Sequence, residues 1–186
     1  MKATLTLLFC ISFGMLIAQS ISLNSEITTP GETPYLVGKI DKNRLTGPNY
    51  KSWFNSTYNS YQPDNTILAS LSPNINQYKI QIFIGTWCVD SRREVPRFIK
   101  ILENSKFSKN QLEIIALDYK PGRYKKSPGQ EEKGLNILRV PTFIIFKNNS
   151  EIGRIIERPT ETLEKDLLNI ILKFQNNTQL FSSKQN

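Results

Sequence analysis

The sequence predicts an α/β fold: a central mixed sheet flanked by helices, with an N-terminal helical extension. Three observations carry this. Two apolar runs, "KIQIFIG" at 79–85 and "LEIIAL" at 112–117, read as buried strands. Between them, residues 89–103 put Val95, Phe98, Ile99 and Leu102 on one helical face, so the unit is strand–helix–strand and its strands pair in parallel. Beyond them, "TFIIFKN" at 142–148 and "EIGRII" at 151–156 flank an Asn-Asn-Ser turn as a hairpin, and an amphipathic helix follows.

The elements follow in order. Residues 1–18 carry Lys2 and then the apolar "LTLLFCISFGMLIA", the pattern of a secretory signal peptide cut after Ala18 or Ser20. An uncleaved anchor is the alternative. The stretch is short for a span of about 20 residues, so no stable membrane span is expected once the leader is removed. Residues 19–63 form the extension. Its first part, 21–47, is polar and holds Pro30, Gly31, Pro34 and Gly47, with "YLVGKI" as a short strand. From Pro48 to Tyr61, the side chains of Tyr50, Trp53, Phe54, Tyr58 and Tyr61 share one helical face. Such a stripe reads as core packing before it reads as a ligand-binding face.

The main domain spans 64–174. Asp64 caps a helix over 64–72. After the two buried strands come a loop, "YKPGRYKKSPGQ" at 119–130, and a short helix over 131–137. Thr160 caps the last helix, which places Leu163, Leu167, Ile170, Ile171 and Phe174 on one side. From Gln175 to Asn186 the chain is a polar, frayed tail. Parallel pairing brings the C-terminal ends of both buried strands to one rim. Cys88 and the 119–130 loop belong there, and helices are expected on both faces of the sheet.

Composition excludes several chemistries. With 186 residues, 39% hydrophobic and 22% charged, the chain supports one globular core. It contains no histidine, which removes Ser-His-Asp and Cys-His catalysis and every imidazole zinc site. Of its two cysteines, Cys10 lies in the leader, so Cys88 stands alone in the mature chain; thiolate zinc clusters and internal disulfide scaffolds are excluded. No metal and no other cofactor is expected. The net charge of +8 permits an acidic partner. The basic residues are scattered, with the densest group at Lys120, Arg123, Lys125 and Lys126, so no nucleic-acid surface is expected.

Cys88 falls where a strand ends and a helix begins. The first amides of that helix have no internal partners and the macrodipole is positive there, which suits an anionic, nucleophilic sulfur. Arg92 and Arg93 add positive charge; Asp90 opposes it. Ser91 lies one turn on and offers a hydroxyl to the sulfur, but it cannot form a disulfide. Export would put this thiol in an oxidising compartment. A buried, inert cysteine is the bland alternative.

The segment "TWCVDSRREVP" resembles the active site of thioredoxin-like proteins, whose motif is Trp-Cys-x-x-Cys followed by a helix. Pro96 matches the proline that kinks that helix, and Glu94 with Pro96 is similar to the exported thioredoxin-like reductases of bacteria. "RVPTFIIFKNNSEIGR" resembles the family's cis-proline segment and hairpin, with Pro141 as the cis-proline. The resemblance covers 64–174. It implies Cys88 as nucleophile with Ser91 beside it, and Trp87, Val140, Pro141 and Thr142 as the substrate-docking groove. Two departures stand out: Ser91 replaces the second cysteine, and Ile82 replaces the buried acid that assists resolution. A monothiol Cys-x-x-Ser site results. Cys88 can attack a disulfide, but release needs an outside thiol.

Three functions follow from these readings. The first is monothiol thiol–disulfide exchange with protein thiols or disulfides, or with glutathione. The second is a thioredoxin-fold module that captures client proteins. The third is a Cys88-linked dimer. The basic 119–130 loop is either a solvated loop or a holder for an acidic substrate or a glutathione carboxylate. The expected location is periplasmic or secreted.

Overall fold

The computed structural model describes residues 23–182, with side chains through 180; the expected leader and its cleavage site lie outside the described residues. Six strands form one sheet. β1 (Ser25–Ile27) and β2 (Tyr35–Ile40) come from the polar lead-in. β3 (Lys79–Ile84) and β4 (Leu112–Ala116) are the two apolar runs, and β5 (Thr142–Lys147) and β6 (Ser150–Ile156) make the hairpin. The spatial order is β1-β2-β4-β3-β5-β6. Among the described residues only β3 and β4 pair in parallel, in register from Ile80 opposite Leu112 to Ile84 opposite Ala116. β2 lies antiparallel on β4, and β5 antiparallel on β3. Asn148 and Asn149 both take positive φ, 51° and 63°, the conformation a tight hairpin turn demands.

Period-2 alternation sorts the strands' side chains onto two faces. Ile80, Ile82, Ile84, Ile114, Ala116, Phe143 and Ile145 join the larger core cluster. Phe83, Ile115, Leu117 and Ile144 point the other way, into a smaller one. The helices α1 (Lys42–Leu45), α2 (Lys51–Ser60), α3 (Asn65–Leu71), α4 (Val89–Asn104) and α5 (Leu163–Ser182) all send their buried aliphatic and aromatic residues into the larger cluster. Phe98 of α4 meets Phe143 with ring centroids 4.4 Å apart. The N-cap expected at Asp64 is present: its carboxylate accepts from the Thr66 and Ile67 amides.

Four expectations are corrected. The helices expected on both faces of the sheet all pack on the face of the larger cluster. The helix expected over 131–137 is a run of turns, and the smaller cluster is closed by Leu135 and Ile137 from this segment. The Glu131 and Glu132 carboxylates fold back onto the Ser127 hydroxyl, while Gly134 and Asn136 take φ of 80° and 53°, which no right-handed helix admits. Thr160 is not the cap of the last helix. α5 begins at Leu163, Thr162 Oγ1 accepts from the Lys165 amide at 3.3 Å, and the Asp166 carboxylate takes the Thr160 and Glu161 amides. An acid on the first turn satisfies those amides more strongly than a hydroxyl does. Finally, α5 continues past Gln175 to Ser182, because neither glycine nor proline interrupts it.

The aromatic stripe of α2 packs inward. Phe54 is buried, and Trp53, Tyr58 and Tyr61 pack against the same core. Each tyrosine of the stripe also reaches a carboxylate on a different element. Tyr50 donates to Glu26 beside β2, Tyr58 to Glu103 on α4, and Tyr61 to Glu164 on α5 at 2.6 Å. Burial first, and the adjacent carboxylate second, push the Tyr58 phenol up to about 12 and those of Tyr50 and Tyr61 well above the ordinary tyrosine range. Glu164 is itself buried and also accepts the Asp64 amide at 3.0 Å. Tyr61→Phe leaves that carboxylate short of a donor. We expect a loss of about 1–3 kcal/mol in urea unfolding, against less than about 0.5 kcal/mol for Tyr124→Phe, whose ring is exposed.

Candidate functional site

Parallel pairing of β3 and β4 brings Gly85 and Leu117 to the same rim, where the Leu117 amide donates to the Ile84 carbonyl at 2.8 Å. Cys88 is the N-cap residue of α4, with extended φ and ψ of −89° and 130°. Its amide donates to the Gly85 carbonyl at 2.8 Å, which closes the turn, and its carbonyl accepts from the Arg92 amide at 3.0 Å, which opens the helix. The side chain is half-buried, and its S–H donates to the Val140 carbonyl at 3.3 Å. The peptide bond between Val140 and Pro141 is cis. Thr142 is buried and its hydroxyl donates to the Arg139 carbonyl at 2.7 Å. The fold thus brings together Trp87, Cys88, Val140 and the start of β5, which lie 52 residues apart along the chain.

Comparisons with known proteins extend only to structures. No family model and no curated protein matches the sequence. A protein of unknown function from Pseudomonas aeruginosa is similar at 14% identity and TM-score 0.49, over 66% of this chain and 84% of that one. An HIV epitope-scaffold is similar at 14% identity and TM-score 0.50 over the same shares. A thioredoxin pre-protein from Schistosoma mansoni is similar at 23% identity and TM-score 0.32, over 52% of this chain and 81% of that one. The sheet order, a parallel pair flanked by an antiparallel hairpin and helices, decides the class by itself. The fold is thioredoxin-like.

In this thioredoxin-like frame, Ser91 does not bond the sulfur. It is fully buried, and its Oγ accepts from the Gly85 amide at 3.2 Å. It therefore braces the turn that presents Cys88. Trp87 lies over that same turn: a Cβ built on Gly85 would stand 2.6 Å from the indole, so this position requires glycine. The indole N–H donates to the Leu117 carbonyl at 2.9 Å, joining the two strand ends. Ile82 is wholly buried between Ile114 and Phe143.

The charges flanking the sulfur are arranged in pairs. Asp90 accepts from Arg93 at 2.7 Å and from Arg158 at 3.0 Å. Burial alone would raise its pKa; the two guanidiniums outweigh it and hold the carboxyl below the usual range. Arg93 also pairs with the buried Glu94. Val89, next to Cys88 in the chain, and Leu138, two residues before Val140, are large apolar side chains left 72% and 67% exposed.

Sequence reasoning missed Asp118, which follows β4 on the Cys88 rim. It is buried and accepts from the Tyr35 hydroxyl at 2.9 Å, the Lys120 amide at 2.8 Å and Arg123 Nε at 2.7 Å. An acid directly after a buried parallel strand was the available signal; its partner Tyr35, from β2, gave none. The basic loop is largely engaged internally. Lys120 pairs with Glu32, Arg123 with Asp118, and Lys125 and Lys126 donate to the Leu138 and Gly122 carbonyls.

Burial would raise the Asp118 pKa, but the Lys120 amide, Arg123 and Tyr35 reverse this and hold it lowered. A carboxylate depressed in the folded state adds stability above its unfolded pKa of about 3.9 and loses it as pH falls through the folded value. The stability gap between the wild type and Asp118→Asn is therefore expected to be widest near neutrality and to shrink below about pH 4; urea unfolding across that range measures it. Gly85→Ala should displace the indole and cost roughly 1–3 kcal/mol, with a shift in tryptophan emission.

Proposed function

We propose that this chain performs monothiol thiol–disulfide exchange through Cys88. The observation that carries the reading is the half-buried Cys88 on the N-cap of α4, its sulfur 3.3 Å from the carbonyl that precedes Pro141. The Val140–Thr142 segment offers backbone beside it for a substrate chain. The Cys88 thiolate attacks one sulfur of a substrate disulfide. A mixed disulfide forms and the other sulfur leaves as a thiolate, so Cys88 is oxidised and the substrate half reduced. Ser91 carries no sulfur, so a second, external thiol, from glutathione or a protein, completes the cycle. The leader at 1–18 would deliver the chain to a periplasmic or secreted location.

The missing second sulfur also favours a second reading. An unresolved mixed disulfide is a long-lived complex, and the exposed Val89 and Leu138, close in sequence to Cys88 and Val140, offer apolar surface to a client. Capture of clients, or a Cys88-linked dimer, would use the same atom. Electrophoresis without reductant separates the dimer from the monomer, and partner recovery with wild type and Cys88→Ser separates covalent from groove binding.

Cys88→Ser should abolish mixed-disulfide formation, read by mass spectrometry after exposure to oxidised glutathione. Ser91→Cys supplies the absent sulfur one turn away. We expect it to shorten the lifetime of the mixed disulfide by on the order of tenfold or more, since a neighbouring thiol acts at high effective concentration. An unchanged lifetime, or a wild-type Cys88 that takes up no glutathione at all, would count against exchange.

A further inference from the structure

Beside Trp87 the surface sinks into a recess of about 340 Å³. Its walls are the rings of Tyr35, Trp87 and Tyr119; Pro34 and Glu32 stand across it, and Arg92 lies on its helix side. Tyr35 and Tyr119 meet edge-on at 4.6 Å, and Trp87 lies 5.9 Å from Tyr119. The recess borders the reactive turn from both sides in sequence: Trp87 precedes Cys88, and Arg92 follows one helical turn later, its amide on the Cys88 carbonyl.

The charges of this recess are unevenly matched. Glu32 is held by Lys120 at 2.5 Å and by the Tyr119 hydroxyl at 3.1 Å. Asp118, bonded to Tyr35, is held by Arg123. Arg92 differs. Its Nε donates to the Thr86 carbonyl at 2.6 Å, which fixes the guanidinium, and among the described residues no carboxylate pairs with it. An anchored guanidinium with free donors, beside aromatic walls, fits a carboxylate carried on a small or planar body. Four helical residues advance about 6 Å, a distance that a few bonds between a sulfur and a carboxylate can span.

We propose that this recess recognises the carboxylate-bearing half of a small disulfide or thiol whose sulfur reacts at Cys88. The inference rests on the exchange reading and names its substrate class.

Two disulfide reagents test it on the full chain: dithiobis-nitrobenzoate, with a carboxylate on each ring, and neutral dithiodipyridine. With either, the Cys88 thiolate forms a bond to one aryl sulfur, the old sulfur–sulfur bond breaks, and the second aryl thiolate leaves with the electron pair. Cys88 is oxidised to the mixed disulfide and the released aryl thiol is the reduced product. Arg92→Gln is expected to slow the anionic reagent about tenfold, the scale of one charge-assisted hydrogen-bonded pair, and to leave the neutral reagent within about twofold. Arg92→Lys should retain part of the difference. Lys147→Gln, which removes one charge at the far end of β5, should change neither rate.

Equal slowing of both reagents by Arg92→Gln, or of neither, overturns the proposal. Should neither reagent label wild-type Cys88, the exchange reading fails and a binding measurement decides the recess. The probe is S-methylated thionitrobenzoate, which cannot exchange, added to the Cys88→Ser variant. Quenching of tryptophan emission that Arg92→Gln weakens about tenfold supports the site; quenching unchanged by Arg92→Gln, or none at all, removes it.

Discussion

The parallel pairing of β3 with β4 is the constraint on which the site depends. Among the described residues it is the one parallel pair in the sheet, and it sends both C-terminal strand ends to one edge. There the Leu117 amide reaches back to the Ile84 carbonyl and the Trp87 indole reaches across to the Leu117 carbonyl. These two bonds hold the Gly85–Cys88 turn against the next strand. A helix then starts at Cys88, whose sulfur turns to the Val140 carbonyl and makes no cap bond to the helix amides. Antiparallel pairing of the same strands would place the two ends on opposite edges and dissolve the site.

The second support comes from α2, packed on the same face of the sheet as α4 and α5. α2 is short and has low intrinsic stability as an isolated helix. It is fixed by Phe54 in the core and by three phenol–carboxylate bonds to three different elements. The residues before 64 are thus tied into the same core as α4 and α5. They also supply β2, whose Tyr35 reaches Asp118 on the Cys88 rim. A segment that reads as an extension therefore furnishes part of the wall beside the reactive turn.

The polar groups around Cys88 divide between bracing and recognition. Ser91, Thr86 and Asp118 are buried and engaged with backbone or with neighbouring side chains. Thr86 Oγ1 accepts the Leu36 amide at 3.0 Å and its carbonyl accepts Arg92 Nε, so one residue joins β2 to α4. What remains at the surface is the half-buried Cys88, the exposed Val89 and Leu138, and the half-buried Arg92, whose guanidinium has no carboxylate partner among the described residues. The basic loop at 119–130, the more conspicuous cationic feature of the sequence, has most of its charge engaged within the protein.

Periodicity along the chain determined most of the elements: the strands at 79–84 and 112–116, the helix between them, the hairpin with its Asn-Asn turn, and the inward face of Phe54, Phe98 and Leu167. Local chemistry also marked Cys88 at a strand-to-helix junction, because that position depends only on neighbours in sequence. The segment at 131–137 and the Thr160 cap were misread because side chains chose partners that no period encodes: Glu131 and Glu132 took Ser127, and Asp166 took the Thr160 amide. The union of Cys88 with Val140, of Tyr35 with Asp118 and of Arg92 with an aromatic recess was decided by tertiary structure alone. Contacts across 52 and 83 residues arise from how the strands stack side by side, and that order is set by burial of the whole core.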